Sequence, residues 1–186
     1  MSFSILPANP DWPRRFKMIR SDLETVLPQD AAIHHIGSTA VANLVAKDVI
    51  DIQITVKSLC DLSIEAMERA GFAHSAIDRD HCPPGMTLPP AELAKQFYKT
   101  SEPICVNIHV REQGRFNQRY SLLCRDYLRS HPLAAAAYGQ IKLGLVTHFS
   151  RDVDAYYDIK DPVFDLMMVA AEEWALATRW QIPLGD

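Results

Sequence analysis

The sequence changes its hydrophobic periodicity near residue 112, and this change constrains the fold more than any other feature. Before it lies the run 49–56, Val-Ile-Asp-Ile-Gln-Ile-Thr-Val, whose alternation places four β-branched apolar side chains on one face of a strand. After it, apolar residues recur at helical spacing in three stretches, 115–129, 133–149 and 153–180. The 186 residues therefore predict one α+β domain, with a mixed α/β core over 1–112 and a helical part over 113–186 packed on a small mixed sheet.

Further elements are expected on each side of this strand. Asp11 and Pro13 have the residue types of a helix start, and that helix should end before Pro28. The other predicted elements are strands at 31–36, 72–77, 97–100 and 104–111, the last two forming a hairpin, a helix at 61–70, and a short helix or turn at 38–45. The segment 78–94 contains four prolines, so we expect a long loop, either a lid over a site or a disordered excursion.

Charge and composition exclude several classes of protein. The chain has 19 Lys and Arg against 23 Asp and Glu, a net charge of −4, so we expect no coating of nucleic acid, although a local basic pocket is compatible with this balance. No apolar run approaches the ~20 residues that span a bilayer, and the first residues lack a signal-peptide pattern; we expect a cytoplasmic protein with no membrane partner. The four cysteines form no CxxC pair, which argues against a zinc knuckle and predicts reduced, mostly buried thiols.

The stretch with the clearest chemistry follows the first predicted strand. Gly37 allows a phosphate to approach the backbone, and Ser38 and Thr39 supply hydroxyl and amide donors. Asp51 comes 13 positions after Ser38, on the polar face of the next strand, where a carboxylate can hold Mg²⁺ that bridges phosphates. Lys47 lies between them in sequence and adds a positive charge. These residue types predict a site for a nucleotide or another phosphorylated small molecule.

Motifs spread over nearly the whole chain, from about Trp12 to Trp174, carry a family resemblance. They are His35-Ile36-Gly37-Ser38-Thr39-Ala40-Val41, Ala46-Lys47, Ile50-Asp51-Ile52, Asn107-Ile108-His109-Val110, the segment 124–132 (Cys-Arg-Asp-Tyr-Leu-Arg-Ser-His-Pro), Tyr138, Ile141-Lys142, Tyr156 and Lys160. Together they resemble the GrpB family. The resemblance implies a nucleotidyltransferase-like α+β core that binds a nucleotide or related phosphorylated small molecule with a divalent cation, Mg²⁺ or Mn²⁺.

The resemblance also implies roles for individual residues. Phosphate or ligand contacts fall on Gly37, Ser38, Thr39, Lys47, Arg125, Lys142, Tyr156 and Lys160. The cation falls on Asp51 with help from Gln53 or His109, and the catalytic candidates are Asp51, His109 and His35. An imidazole at His109 suits Mn²⁺ or Zn²⁺ better than Mg²⁺.

The chain departs from the pattern of active nucleotidyltransferases at its carboxylates. The pattern has Asp-x-Asp followed by a third carboxylate on a later strand, whereas this chain has Asp51-Ile52-Gln53 and then His109. The Val-Pro-Gly turn of the family is Val-Ala-Asn at 41–43, and the first histidine of its His-Leu-His-Val strand is Asn107. Because two-metal transfer relies on several carboxylates, these departures favour binding over turnover.

Several of the basic and aromatic candidates have a second, purely structural interpretation. Arg125 and Arg129 share a helix face and form either a fork for an anion or ion pairs with Asp126 or Glu112. Tyr156 either stacks on a base or belongs to the helical core. Taken alone, the two lysines of the later helices, at 142 and 160, read as surface residues.

The histidines also have both a functional and a structural interpretation. His34 and His35 point to opposite faces of a strand, so one of them is packed, and His35, next to Gly37, is the candidate for the site. His109 is either a metal ligand or general base, or a half-buried strand histidine.

Two functions of different class follow. The first is a nucleotide-binding or phosphorylated-ligand-binding protein with a divalent cation that transfers a nucleotidyl group; the second is a non-catalytic module that senses a ligand or binds a partner through the same pocket. A hydrolase with His35 or His109 as general base ranks last, since no nucleophile, base and orienting group occur together in the pattern. The sequence leaves the oligomeric state open.

Overall fold

The structure, a computed structural model, describes residues 4–149 and 152–186. Its α-helices are α1 (Trp12–Glu24), α2 (Ile64–Arg69), α3 (Phe116–Ser130), α4 (Pro132–Phe149) and α5 (Val153–Thr178), and its strands are β1 (Ala32–Ile36), β2 (Ile50–Val56), β3 (Ala73–Ser75), β4 (Gln96–Thr100) and β5 (Val106–Glu112). The elements change from mixed to helical after β5. The predicted α+β class with a C-terminal helical part is confirmed.

The strands form one mixed sheet in the order β1-β2-β5-β4-β3. Strands β2 and β5 are parallel, and the other neighbours are antiparallel, including the β4–β5 pair predicted as a hairpin. In the β2–β5 register Asp51 lies beside Asn107, and Gln53 beside His109. This register brings the polar faces of the two central strands together.

The main hydrophobic core covers one face of the sheet. Trp12, Phe16 and Leu23 of α1 pack against the alternating isoleucines of β2 and against Met67 of α2. The same alternation turns the polar residues of β2 to the other face, where the amide of Gln53 donates a hydrogen bond to the Gln118 carbonyl oxygen of α3. The period-2 pattern of one strand thus separates the core from the functional face.

The three long helices pack on that second face. Leu123 and Cys124 of α3 contact Met168 and Ala171 of α5. A smaller cluster joins Leu128 of α3 and the start of α4 to the loop between β1 and β2. The helical part therefore closes over the polar strand faces and forms the far wall of a cleft.

The residues after α5 return to the sheet. The Asp186 amide donates a 3.0 Å hydrogen bond to the Ile33 carbonyl oxygen, and His34 Nε2 lies 3.0 Å from the Pro183 carbonyl oxygen. Both contacts are made along β1, which is an edge strand of the sheet.

Two local predictions agree with the structure. The stretch expected to be a short helix or turn contains the 3-10 turn Ser38–Ala40, and the segment 78–94 is a loop with one 3-10 turn, Pro90–Glu92. Two others differ: the helix expected at 61–70 is the shorter α2, and the cysteines are mostly exposed. The expectation of mostly buried cysteines is wrong: only Cys124 is buried, because the other three lie in loops and turns outside the core. Within residues 4–149 and 152–186, no helix is both long and apolar enough to span a membrane.

Candidate functional site

The turn after β1 can be built only with glycine at its first position. Gly37 has φ +70°, a conformation that side chains with a β-carbon rarely adopt. A β-carbon there would also lie 2.5 Å from Oδ2 of Asp51. The turn therefore lies directly against the carboxylate of β2, and Ser38 follows it at the start of the 3-10 turn.

Asp51 is the acidic residue at the floor of the site. Its Oδ1 accepts a 2.9 Å hydrogen bond from Asn107 Nδ2 on the parallel strand β5. Burial raises the pKa of the Asp51 carboxyl above its usual range, while the Asn107 hydrogen bond and the Lys160 and Lys47 ammonium groups oppose this rise. Asn107 is therefore the neutral hydrogen-bond partner of this carboxylate.

A cleft of about 740 Å³ opens between the sheet and the helical part. Its described lining contains more than twice as many basic as acidic side chains. The basic ones are Lys47, Lys95, Lys99, Arg111, Arg125, Lys142 and Lys160, and the acidic ones are Asp51, Asp80 and Asp161. The chain as a whole is acidic, with a net charge of −4, so the positive charge is concentrated at this place. Such a cleft attracts anionic ligands.

Lys142 of α4 connects the helical part to the turn after β1. Its Nζ donates a 2.9 Å hydrogen bond to Ser38 Oγ and another hydrogen bond to the Val45 carbonyl oxygen. The residue is 2% exposed, and burial, together with the Lys160 ammonium, lowers the pKa of Lys142 to about 7. This contact brings together two predicted ligand residues that are 104 positions apart in the sequence.

Two neighbouring tyrosines of α5 lie against Lys47. Lys47 Nζ lies 4.5 Å from the ring centroids of both Tyr156 and Tyr157 and donates a 3.1 Å hydrogen bond to the Tyr157 hydroxyl. Burial and the Lys160 ammonium lower the pKa of Lys47 to about 8. Tyr156 is 2% exposed and still lines the cleft, so the structure places it both in the core and at the cleft wall.

Arg125 lies at the cleft, and its Nε and Nη1 groups donate hydrogen bonds within the chain. Nη1 donates to Asp186 Oδ2 at 2.6 Å and to the His35 carbonyl oxygen at 3.0 Å, and Nε donates to Asp126 Oδ1 at 2.8 Å. Its side chain is 2% exposed. These contacts correspond to the ion-pair interpretation of Arg125. Asp126 was one of the predicted partners, and Asp186 is a partner that the sequence did not suggest.

A network of polar side chains fills the end of the cleft near β5. The Asp80 carboxylate accepts two hydrogen bonds from Arg111, at 2.8 and 3.0 Å, and one each from Lys95 and Asn117, at 2.7 and 3.0 Å. Burial alone would raise the pKa of Asp80, but the Arg111 guanidinium and the Lys95 ammonium hold it well below its usual range. The base of the loop 78–94 is thereby fixed to the sheet.

The residues proposed to hold a metal are engaged by this network. Gln53 is fully buried, and its Oε1 accepts hydrogen bonds from Arg111 Nη1, at 2.6 Å, and from Ser121 Oγ. His109 Nδ1 lies 3.4 Å from both Lys95 Nζ and Arg111 Nη2. Two cations beside His109 and an occupied oxygen on Gln53 do not fit a divalent ion, and the described residues contain no group of three His, Cys, Asp or Glu that could hold one. Of the three residues predicted to hold the cation, Asp51 lies outside this network, and its Oδ1 accepts the hydrogen bond from Asn107.

His35 lies on the side of the Ser38–Ala40 turn that faces α1. The His35 ring stacks on Phe16 with centroids 4.8 Å apart, and its Nε2 lies 2.9 Å from Thr39 Oγ1. Burial and the neighbouring Arg129 lower the pKa of His35 to about 4. His35 lines a second, smaller pocket beside α1, not the main cleft, whereas Thr39 lines both. His35 thus contacts the turn from its back.

Sequence reasoning missed several residues of the cleft. Asp80, Lys95, Lys99, Arg111, Asn117 and Tyr157 all line it. Arg111 directly follows the Asn107-to-Val110 motif, which is a signal that was available. Asp80 and Lys95 lie at the two ends of the proline-containing loop, and no local pattern distinguishes them from surface charges.

Comparison with known proteins identifies the chain's relatives. A family model described as GrpB protein matches residues 2–169. The chain belongs to the GrpB family. A GrpB protein from Enterococcus faecalis has the same fold, with a TM-score of 0.72 at 22% identity over 96% of this chain and 100% of that one. A cytoplasmic RNA terminal U-transferase is a more distant structural match, with a TM-score of 0.49 at 15% identity over 79% of this chain and 41% of that one; at this level the likeness carries no conclusion about activity.

Two curated relatives of this GrpB protein are similar over nearly all of it. A protein named dephospho-CoA kinase, from Mycolicibacterium paratuberculosis, is 33% identical over 95% of this chain and 48% of its own length. UPF0157 protein YqkA from Bacillus subtilis is 31% identical over 91% of this chain and 47% of its own length. The chain spans about half the length of these relatives.

Proposed function

We propose that the cleft of this GrpB protein binds a nucleotide or related phosphorylated small molecule, with phosphates at Ser38, Lys142 and Lys160. The observation that carries the proposal is the excess of Lys and Arg lining a single cleft in an acidic chain. A dianionic group is the chemistry that such a lining neutralises best.

A buried lysine strengthens the argument. Burial and the Lys160 ammonium lower the pKa of Lys142 to about 7, so this ammonium group lacks a sufficient counter-charge in the free protein. A phosphate near Ser38 would supply that charge and restore the ordinary protonation of Lys142. The turn at Gly37 lets such a group approach the backbone of the 3-10 turn.

A divalent cation would be held by Asp51 together with the phosphates of the ligand. Mg²⁺ is commonly held by one or two carboxylates together with the phosphates of the substrate. Asp51 lines the cleft beside Gly37 and would be the protein's ligand to an ion that arrives with the phosphates. The ion would neutralise phosphate charge next to the carboxylate.

Binding without turnover fits the site better than nucleotidyl transfer. Two-metal transfer relies on several carboxylates, and Gln53 and His109 stand where further ligands were expected. Transfer is the second candidate, favoured by the contact of Asp51 with the Gly37 turn. Transfer from a nucleoside triphosphate would form a bond between an acceptor oxygen and the α-phosphorus and break the bond between the α-phosphorus and the α,β-bridging oxygen. Pyrophosphate leaves in that step, so its release separates the two candidates.

The relatives add a ligand class to the search. Because one is named dephospho-CoA kinase, phosphorylated coenzymes belong among the compounds tested. We do not propose kinase activity for this chain: the sequence contains no GxxxxGK[ST] loop for holding ATP phosphates.

The test is a thermal-denaturation screen of the purified protein against nucleotides and phosphorylated coenzymes, with Mg²⁺, with Mn²⁺ and without metal. A ligand at a hundredfold excess over Kd stabilises the folded state by about 2.7 kcal/mol, which raises Tm by about 5–10 °C for a chain of this size. We expect Lys142→Met to abolish the shift, and the exposed Lys17→Met to leave it intact.

Asp51→Asn separates the two candidates. A binding protein keeps a metal-independent shift in this variant and releases no pyrophosphate in either form. An enzyme releases pyrophosphate as wild type and loses that release as Asp51→Asn. A well-folded wild-type protein that shows no shift with any compound overturns the proposal.

A further inference from the structure

His109 has a ring whose tautomer is set by its neighbours. It lies on β5, and its Nδ1 is 3.4 Å from Lys95 Nζ and 3.4 Å from Arg111 Nη2. A guanidinium and an ammonium can only donate hydrogen bonds. Nδ1 must therefore accept, and the proton of the neutral ring lies on Nε2.

The two donors cannot easily turn away from the ring. Arg111 is held by both oxygens of Asp80 and by Gln53, and Lys95 is held by Asp80 at 2.7 Å. Their side chains are 6% and 7% exposed. Burial and these two cations also keep the pKa of His109 well below its usual range, so the ring is neutral at physiological pH.

The other ring nitrogen, Nε2, is not among the buried side-chain atoms without a partner. His109 lines the cleft, and the hydrogen bonds of its ring to described residues are made at Nδ1. The ring is supported from the side by Phe97, with centroids 4.7 Å apart. The result is a fixed N–H group in the cleft wall.

The charge around this N–H group selects its acceptor. Lys95, Lys99 and Arg111 contribute three positive charges to this end of the cleft, and Asp80 contributes one negative charge. A donor in a net positive environment binds an anionic oxygen in preference to a neutral one.

We propose that His109 is the neutral hydrogen-bond donor of a second anion subsite, which binds a carboxylate or phosphate oxygen at the end of the ligand away from Ser38 and Lys142. This inference rests on the proposed function and deepens it: the ligand carries an anionic group at each end. It also removes His109 from the roles of general base and metal ligand, because Nδ1 is occupied and Nε2 carries the proton.

The tautomer is measured directly by long-range ¹H–¹⁵N correlation spectra of the histidine side chains in the ¹⁵N-labelled protein. His109→Gln identifies the signal. We expect a protonated Nε2 and an unprotonated Nδ1 at pH 7, unchanged at pH 6. A proton on Nδ1, or a doubly protonated ring, at pH 7 overturns the inference whatever the ligand.

Binding is tested by titration with inorganic phosphate and, separately, with acetate. We expect a saturable shift of the His109 Nε2–H signal with at least one of them, and the responding anion distinguishes a phosphate subsite from a carboxylate subsite. Glutamine places an amide N–H near the position of Nε2, whereas asparagine reaches only the position of Nδ1. His109→Gln should therefore keep the affinity within about threefold, and His109→Asn should weaken it about tenfold, which is the loss of one hydrogen bond to a charged group.

The outcomes separate this inference from the proposed function. Phosphate signals at Ser38 and Lys142 with no response of His109 to either anion would refute the second subsite and leave the proposed function standing. Equal affinities of folded Gln and Asn variants would also refute it. A folded protein that binds neither anion and also shows no thermal shift with any compound of the screen refutes both.

Discussion

Gly37 and Asp51 are so close that residue 37 has no room for a β-carbon, which would lie 2.5 Å from the Asp51 Oδ2. The conformation of the turn and the position of the carboxylate therefore depend on one another. A substitution that moves the turn also moves the acidic residue of the proposed ligand site.

We expect Gly37→Ala to destabilise the fold by about 2–4 kcal/mol, through backbone strain at φ +70° and the clash with Asp51. Gly85→Ala is the matched control, because Gly85 has φ +82° but nothing within 4 Å of the added carbon. That variant should lose only about 1–2 kcal/mol. Urea denaturation measures both, and equal losses would show that the contact with Asp51 is unimportant.

We expect Arg125 to contribute mainly to the stability of the fold. Arg125→Ala leaves Asp186 and Asp126 without their buried partner, and we expect a loss of about 3–5 kcal/mol in the free energy of unfolding. Arg129→Ala is the control: its side chain is 37% exposed and its ion-pair distances are 3.6 and 3.7 Å, so the loss should stay near 1 kcal/mol. A stable Arg125→Ala protein with weakened phosphate binding would favour the anion-fork interpretation instead.

Asp80 should make the fold sensitive to acid. Its pKa is depressed in the folded state, so its contribution is present above the unfolded pKa of about 3.9 and is lost as the pH falls below that value. Asp80→Asn should cost about 3–5 kcal/mol at pH 7, and the gap to wild type should narrow between about pH 4 and pH 2. Asp78→Asn, at an exposed carboxylate two residues away, should leave the stability close to that of wild type at every pH, because exposed ion pairs contribute little. Chemical denaturation of both proteins across this pH range measures the difference in their free energies of unfolding. A difference that stays constant with pH contradicts the prediction.

The pKa of Lys142 predicts how anion binding depends on pH. A bound dianion favours the protonated amine, so above pH 7 binding must take up a proton that the free protein no longer carries. Affinity for sulfate, whose charge is constant in this range, should fall by up to tenfold per pH unit above 7. Calorimetric titration of Lys142→Arg, which stays charged, should give a flatter profile between pH 7 and 8. Identical profiles in the two proteins would exclude Lys142 from the anion site.

The sequence predicted the fold well where its information was local. Alternation in β2 and helical spacing after residue 112 located the sheet and the three long helices, because both patterns record which face of an element is buried. The burial of the cysteines was predicted wrongly, because a thiol in a loop has no periodic neighbours to indicate exposure.

The site was predicted less completely because its contacts are long-range. The position of Asp51 beside the turn follows from neighbouring strands, but Arg111 reaches Gln53 across 58 positions and Arg125 reaches Asp186 across 61. The partner of a buried charge is fixed by the packed helices and loops, not by spacing. Lys142 was named only because a family resemblance carries such three-dimensional information.

The return of residues 183–186 to β1 has a consequence for the behaviour of the protein in solution. An edge strand with free backbone groups is a template on which other chains can add strands and aggregate. Asp186 occupies two of those groups, since its amide donates to Ile33 and its carboxylate accepts from the His35 amide. Asp186, whose carboxylate pairs with Arg125, thus also covers backbone groups of the edge strand β1 that could otherwise pair with strands of other chains.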